Sequence, residues 1–589
     1  MSTIPHRLFA QGLERGAAPA YHEKVGHDWV STDWKTYADQ TAQVALALIA
    51  HGLQPNDKVC ILSFNRAEWV LADVGCMAAG GVPAGIYETC SAEEVAYIIH
   101  HSEARVVFVE DAEQWEKIRQ KRDELPGLER VITFRGAAPI DDPLVSTWEE
   151  FLAAGENAAP EALQERLDGL RPEAPATFIY TSGTTGPPKA VMLSHHNLTW
   201  TADAAIGLVG LGPDDRAISY LPLSHIAEQI FTLLGPITGG SQVFFAQSRE
   251  AMPENLVDVQ PTVFLGVPRV WEKLHAKIAA GLAGAPPSRK RIAGWAMSVG
   301  QRVNALRNEG KSPGVLLGLQ YRLASRLVYA KARPKFGMGG VRLAVTGAAP
   351  IAPEIIEFFA GLDLQIHEVY GQSEDSGPTS FNSPGRTRVG SVGPAVPGVD
   401  IKIAEDGEIL VRGPNVFLGY YKDQAATDEA LIDGWLYSGD LGHIDDDGFL
   451  HITGRKKDII ITAGGKNIAP KNIEAALKNL PLISQAVVIG DRRKFLSALI
   501  TLDPEAAERF TAEHSISGAP HTAEAVIAEL QKGVDTVNAQ FARVEHIRKF
   551  TVLPRDLDVE NKELTPTLKV KRRIVNDNWA EVIEAMYAG

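Results

Sequence analysis

Residues 177–189 read TFIYTSGTTGPPK. An apolar strand runs straight into six small residues, Thr181, Ser182, Gly183, Thr184, Thr185 and Gly186, and then into two prolines and Lys189. Glycines let backbone N–H groups approach an anion closely. The four hydroxyls of the stretch add donors. Lys189 adds a point charge, whose hydrogen bonds are worth roughly 1.5–3 kcal/mol each. This chemistry suits a polyphosphate. A P-loop needs Gly, four residues and then Gly-Lys-Ser/Thr; five positions after Gly183 stands Pro188, so that pattern fails. The dinucleotide fingerprint needs spaced glycines that open a helix, and Pro187-Pro188 block helix entry here. A merely flexible turn does not account for small residues set between an apolar strand and a lysine.

Outward from this stretch, strand-like and helix-like segments alternate. Residues 58–63 read as a strand, 66–80 as a helix, 82–86 as a strand, 91–101 as a helix and 105–110 as a strand. Such alternation implies crossover connections and a largely parallel sheet. Residues 153–175, polar and rich in Ala, Pro and Glu, read as a surface linker. The α/β rhythm resumes at 177–181 and continues to Tyr370, interrupted by a helical segment at about 288–333 with many Lys and Arg. From 389 to 451, Gly and Pro punctuate short β-like runs at 400–403, 408–411 and 449–453, separated by turns such as Glu405-Asp406-Gly407. After Arg455 a shorter α/β pattern runs on. The expected fold is α/β: an N-terminal domain, 1–455, of two parallel-sheet subdomains with a β-rich subdomain at about 388–455, then a small α+β domain, 456–589.

The chain has 589 residues and a net charge of −15, which argues against a nucleic-acid partner. A polyanionic ligand therefore needs a locally basic site. Cys60, Cys76 and Cys90 have no metal or redox spacing and fit a reduced, cytoplasmic compartment. The first 16 residues have no apolar core, and no run reaches the ~18 apolar residues of a spanning helix. Peripheral contact at the inner membrane face stays open, as do monomer and homodimer.

Further motifs follow in order. EVYGQSE, 368–374, comes after a strand-like 364–367 and reads as a loop at a strand's C-terminal end, where open α/β sheets bind ligands. TGAAP, 346–350, follows an apolar strand, and its small residues would let a flat purine lie against the backbone. YSGDL, 437–441, carries Asp440, a carboxylate able to accept two hydroxyls. TGRKKD, 453–458, carries Arg455. YLPLSHIAEQ, 220–229, sets His225 in an apolar stretch, and LTPTLKVKRR, 564–573, is basic. Singly each has a plain reading, such as a solvated Glu, a connecting turn, a core histidine or a basic surface turn. Their order and spacing raise them together.

The phosphate-type loop and these motifs resemble the acyl-adenylate-forming superfamily, from about residue 10 to 585. The stretches FLGVPRVWEKL, 264–274, and YGQSEDSGP, 370–378, with the helical insertion before Val341, look like its long-chain acyl-CoA synthetases of the bubblegum type. The resemblance implies that a carboxylate attacks the α-phosphorus of ATP, and that the thiolate of coenzyme A then displaces AMP from the acyl-adenylate. It assigns the 181–186 loop and Lys189 to the phosphates and Gly347, Ala348 and Ala349 to the adenine pocket. Tyr370 would stack on adenine, with Glu368 and Gly371 beside it. Ser373, where the family more often has Thr, would meet the α-phosphate. Glu374 and Thr184 would hold Mg²⁺. Asp440 would take the ribose, Arg455 the ribose or phosphate, and His225 the acyl carboxylate. Lys569 would be the mobile catalytic lysine, with Lys571 as runner-up; Leu568 stands where many members have Gly. Lys457 would be the hinge of a mobile C-terminal domain, and Gly464-Gly465 would line the coenzyme A tunnel. Delivery of the acyl group to a carrier protein, and a medium-chain or aryl acid substrate, are the alternatives.

Overall fold

The computed structural model describes residues 3–181, 187–565 and 569–588. Its first unit is an eight-stranded sheet. Six strands run parallel in the spatial order Pro175–Thr181, Val82–Ile86, Lys58–Leu62, Val106–Val109, Arg130–Thr133 and Val145–Thr147. Lys189–Ser194 and Gly419–Tyr420 extend the other edge in antiparallel fashion. The central strands are buried along their length. Parallel strands covered by helices on both faces read as continuous apolar runs for that reason.

A second unit holds two four-stranded sheets. In one, Arg216–Ser219, Gln242–Phe245 and Pro19–Val25 are parallel, and Asp28–Asp33 closes the edge as a hairpin. In the other, Val263–Gly266, Leu343–Thr346 and Ile366–Tyr370 are parallel and Ser380–Phe381 is antiparallel. A five-stranded antiparallel sheet follows, with Asp400–Ile403, Glu408–Arg412, Trp435–Ile444, Leu431–Ile432 and Leu450–Arg455. The last unit is a three-stranded sheet, Ile483–Ile489, Leu496–Leu502 and Ile547–Val552, with helices around it and a core of its own that includes Ile473, Val488, Ile500 and Leu530.

Three sequence expectations change. Residues 153–175 are not a linker, since most of them lie in the helices Trp148–Gly155 and Pro160–Gly169. Pro160 occupies a first-turn position, where its missing N–H is no loss, and Leu163 and Leu167, one turn apart, join the main core. Glu368, Val369 and Tyr370 belong to a strand rather than a loop, because Ser380–Phe381 extends the ladder to Tyr370. The helical stretch at 288–333 is a hairpin of Pro287–Asn308 and Val315–Ala324, turning at Gly310 with φ +69°, the left-handed exit that glycine allows.

Candidate active site

The strands Val263–Gly266, Leu343–Thr346 and Ile366–Tyr370 are parallel, with Gly266, Thr346 and Glu368 in register. Their C-terminal ends form one edge, the place where such sheets bind ligands. Gly347 leaves the middle strand pressed on its neighbour, since a Cβ there would stand 2.7 Å from Val369 Cγ1. Ala348 follows with φ +67°, a strained conformation that costs of order 1–3 kcal/mol for a residue other than glycine. Ala348 and Ala349 are both exposed.

The next strand end turns into a locked loop. A Cβ at Gly371 would lie 1.4 Å from the Gly377 carbonyl oxygen, so no side chain fits. Buried Asp375 accepts the Gln372 N–H at 2.7 Å and the Thr379 hydroxyl, and burial pushes its carboxyl up to about 8. Asn415 donates to the Asp375 carbonyl at 3.1 Å and Ser376 to the Asn415 carbonyl at 2.7 Å. Ser373 is buried in this loop. Glu374 leans outward, its carboxylate accepting the Tyr420 hydroxyl at 2.9 Å. Glu368, by contrast, is engaged by the Gly390 N–H at 3.1 Å, and burial raises its carboxyl to about 8.

Tyr370 donates its hydroxyl to Asp440 at 3.0 Å. Asp440 and Arg455 face each other across adjacent antiparallel strands, 3.5 Å apart. Lys456 pairs with Asp406 at 2.6 Å and Glu408 at 2.8 Å, while Lys457 is exposed in the short turn Lys456–Asp458. In the phosphate-type loop, Thr181 and Lys189 are in register at the mouth of a hairpin. Ser182, Gly183, Thr184, Thr185 and Gly186 lie outside the described residues. The Lys189 ammonium is 3.5 Å from Asp423 and 4.9 Å from the centre of the Tyr420 ring. Tyr420 therefore links Lys189 to Glu374.

His225 caps the short helix Ile226–Gln229, its Nδ1 accepting the Ala227 N–H at 3.2 Å. A ring nitrogen that accepts is unprotonated, so Nε2 carries the proton. Burial first, then the charge of Lys569, lowers His225 to about 4. A π turn, Ile230–Leu234, continues this helix and packs on the locked loop, since a Cβ at Gly377 would meet Ile230 Cδ1 at 2.5 Å. π turns of this kind are frequent at functional sites.

Lys569 comes from the far end of the chain. The Thr565 N–H donates to the Lys569 carbonyl at 2.7 Å and the Lys569 N–H to the Thr565 hydroxyl at 3.0 Å; Pro566, Thr567 and Leu568 lie outside the described residues. The Lys569 side chain keeps solvent contact yet is crowded by protein, with Arg455, Lys471, Asp440 and Glu374 near enough for their charges to act on its ammonium. Burial, then Arg455 and Lys471, lower it to about 8, with Asp440 and Glu374 pulling the other way. Lys571 is turned elsewhere, 3.7 Å from Glu94. One cleft thus gathers His225, Glu374, Asp440, Arg455 and Lys569. Gly464 and Gly465 lie in an exposed hairpin turn with open space around Gly465. Tyr420, Asp375 and Asn415 carry no sequence signal of their own. Only the hydrogen bonds reveal them.

Residues 8–421 match the AMP-binding enzyme family and residues 457–589 the AMP-binding enzyme C-terminal domain. The chain is 38% identical over 620 residues to the long-chain-fatty-acid–CoA ligase ACSBG2 of Xenopus laevis, covering 99% of this chain and 83% of that protein. It is 38% identical over 574 residues to the long-chain-fatty-acid–CoA ligase FadD15 of Mycobacterium bovis, with 96% and 94% covered. Its fold is similar to that of the A domain of a carboxylic acid reductase from Segniliparus rugosus in complex with AMP and a co-purified carboxylic acid, at a TM-score of 0.75 and 19% identity, covering 100% of this chain and 94% of that one.

Proposed function

The chain belongs to the AMP-binding enzyme family, and we propose on that premise that it is an AMP-forming ligase joining a long-chain fatty acid to coenzyme A. The observation that carries this reading is the convergence of Lys569 with Glu374, Asp440, Arg455 and His225 in one cleft. The full-length relatives at 38% identity support the long-chain acid.

In the proposed first step the acid's carboxylate attacks the α-phosphorus of ATP and pyrophosphate leaves. No protein nucleophile is required, because the mixed anhydride has a good leaving group. The protein's work is positioning and charge stabilisation. His225, neutral at pH 7 with its proton on Nε2, donates to a carboxylate oxygen without competing for the proton. Asp440 accepts ribose hydroxyls, and the flat Gly347–Ala349 turn carries adenine opposite Tyr370. Arg455, Lys189 and Lys569 supply the positive charge. In the second step the coenzyme A thiolate attacks the acyl carbon and AMP departs.

Among the described residues no group of three or more His, Cys, Asp or Glu could hold a metal. Mg²⁺ fits this site all the same. A hard cation bound with substrate phosphates takes one or two carboxylates and keeps water, and Glu374 is a carboxylate fixed by Tyr420 at the cleft. Glu374 would hold the ion, which when bound neutralises phosphate charge. Removing the Tyr420 hydroxyl should loosen that carboxylate. For Tyr420→Phe we expect the Mg²⁺ midpoint for pyrophosphate release to rise roughly tenfold, the lower end for a lost hydrogen bond to a charged group. An unchanged midpoint removes Tyr420 from the metal site.

The testing experiment is an acid-dependent pyrophosphate-release screen across chain lengths, run with and without coenzyme A. Each buried CH₂ is worth about 0.8 kcal/mol, so the specificity constant should climb roughly fourfold per methylene until the pocket is full. A maximum at acetate or benzoate sinks the long-chain reading. Acyl transfer to a carrier protein but not to coenzyme A sinks the thiol assignment.

A further inference from the structure

Residues 287–335 carry eleven Lys or Arg and a single acidic residue, Glu309, in a chain of net charge −15. They form the hairpin of Pro287–Asn308 and Val315–Ala324, the second arm continued by the π turn Ser325–Tyr329. One face of that arm is covered, with Leu317, Tyr321, Ala324, Val328 and Tyr329 packing on Ala296, Val299 and Val303. Another face is bare. Leu316, Leu319, Leu323 and Leu327 recur every three or four residues, at 79%, 57%, 50% and 44% exposure, and Val315 at the start is 82% exposed. Such spacing makes one continuous stripe along a helix. A scattered exposed leucine needs no explanation, but an apolar stripe rimmed by polar residues marks an interaction surface.

The charges say what covers it. Arg322 and Arg326 flank the stripe, and Lys331 follows its end. Among the described residues the ion pairs of this hairpin are Arg307–Asp363, Arg333–Asp363 and Lys311–Glu309. Arg289, Lys290, Arg291, Arg322, Arg326 and Lys331 have no carboxylate partner there. A two-fold contact through this face would set each cation against the same cations of a second copy. A partner with phosphates on its surface and hydrocarbon beneath satisfies both halves of the pattern. We propose that this hairpin docks the protein on an anionic lipid bilayer, the leucine stripe entering the headgroup–acyl boundary and the cations meeting lipid phosphates. No described helix is long and apolar enough to cross a membrane. The contact is therefore that of an amphipathic helix lying in the interface, where binding scales with buried apolar area plus attraction to anionic lipid.

The test is co-sedimentation of the full chain with vesicles of phosphatidylcholine alone or mixed equally with phosphatidylglycerol, at low and high salt. Two variants are compared, Leu316→Ser/Leu319→Ser/Leu323→Ser and Arg322→Glu/Arg326→Glu. All five side chains are exposed, so the thermal midpoint and turnover of detergent-dispersed acid should match the parent. Expected is binding to the phosphatidylglycerol vesicles that weakens with salt, and a loss of at least about tenfold in partitioning in both variants. Absence of binding to anionic vesicles, or equal binding by the variants, overturns the proposal. So does a parent dimer that the leucine variant converts to monomer, which would assign the face to a second copy.

Discussion

Glu374→Gln should abolish acyl-adenylate formation while leaving the fold intact. The substitution is nearly isosteric, and the amide oxygen of Gln can still accept the Tyr420 hydroxyl that Glu374 accepts at 2.9 Å. The loop does not depend on this carboxylate either. Asp375, Asn415 and Thr379 lock it from the buried side, and Gly371 admits no side chain against Gly377. What the change removes is one negative charge at the cleft, which a hard cation needs in addition to phosphate oxygens. The protein contributes electrostatics rather than a nucleophile of its own, so losing one such contact should cost roughly 10²–10³ in rate, as removing one oxyanion-hole donor does. Acid-dependent pyrophosphate release at saturating Mg²⁺ reads the effect, with the thermal midpoint as the control for folding. Turnover like that of the parent would end the metal role of Glu374.

Much of this site was legible in the chain because short motifs encode strand ends. The turn at 346–350 and the run at 368–374 each follow apolar strands, and those strands prove to be parallel neighbours in register. What the chain could not tell was which distant groups hold these ends. Tyr420 lies 46 positions from Glu374 and belongs to a two-residue strand added to the edge of a different sheet. Asp375 looked like any acidic loop residue, and only its burial identifies it as the anchor. The 153–175 stretch misled because its composition is polar; the two leucines that bury it, Leu163 and Leu167, stand out only once the core they reach is known. For Lys569 the sequence offered two lysines two positions apart. Leu564 bridges to Val570, and Lys571 pairs with Glu94 whereas Lys569 feels the charges of Glu374 and Asp440.

Lys569→Ala should stop adenylate formation yet largely spare thioester formation from synthetic acyl-adenylate and coenzyme A. The lysine comes close to Glu374, Asp440, Arg455 and His225 from the last domain, so its contribution exists only while that domain is docked this way. The charge it offsets is greatest when carboxylate and triphosphate meet, and most of it departs with pyrophosphate. Removing the cation should cost the first step roughly 10²–10³. The docked state is held in part by Arg269–Asp503 at 3.2 Å and Lys571–Glu94 at 3.7 Å. Partly exposed pairs of this kind are worth about 0–1 kcal/mol each, weak enough to part when the domain swings. If Gly464 and Gly465 line the path of coenzyme A, the second step needs such a swing, because both face solvent in this orientation. Lys457→Pro should accordingly give the opposite pattern, since fixing φ in the connecting turn hinders the swing and leaves the docked state accessible. A pH signature accompanies it. With the free-enzyme ammonium at about 8, kcat/KM for ATP in the adenylation step should fall as pH rises through that value, because the cation is the active form, and the fall should vanish in Lys569→Ala. Rapid quench times the half-reactions separately. Equal slowing of both in Lys569→Ala would rule out alternation of the domain, and the same defect in Lys571→Ala alone would move the catalytic lysine two residues on.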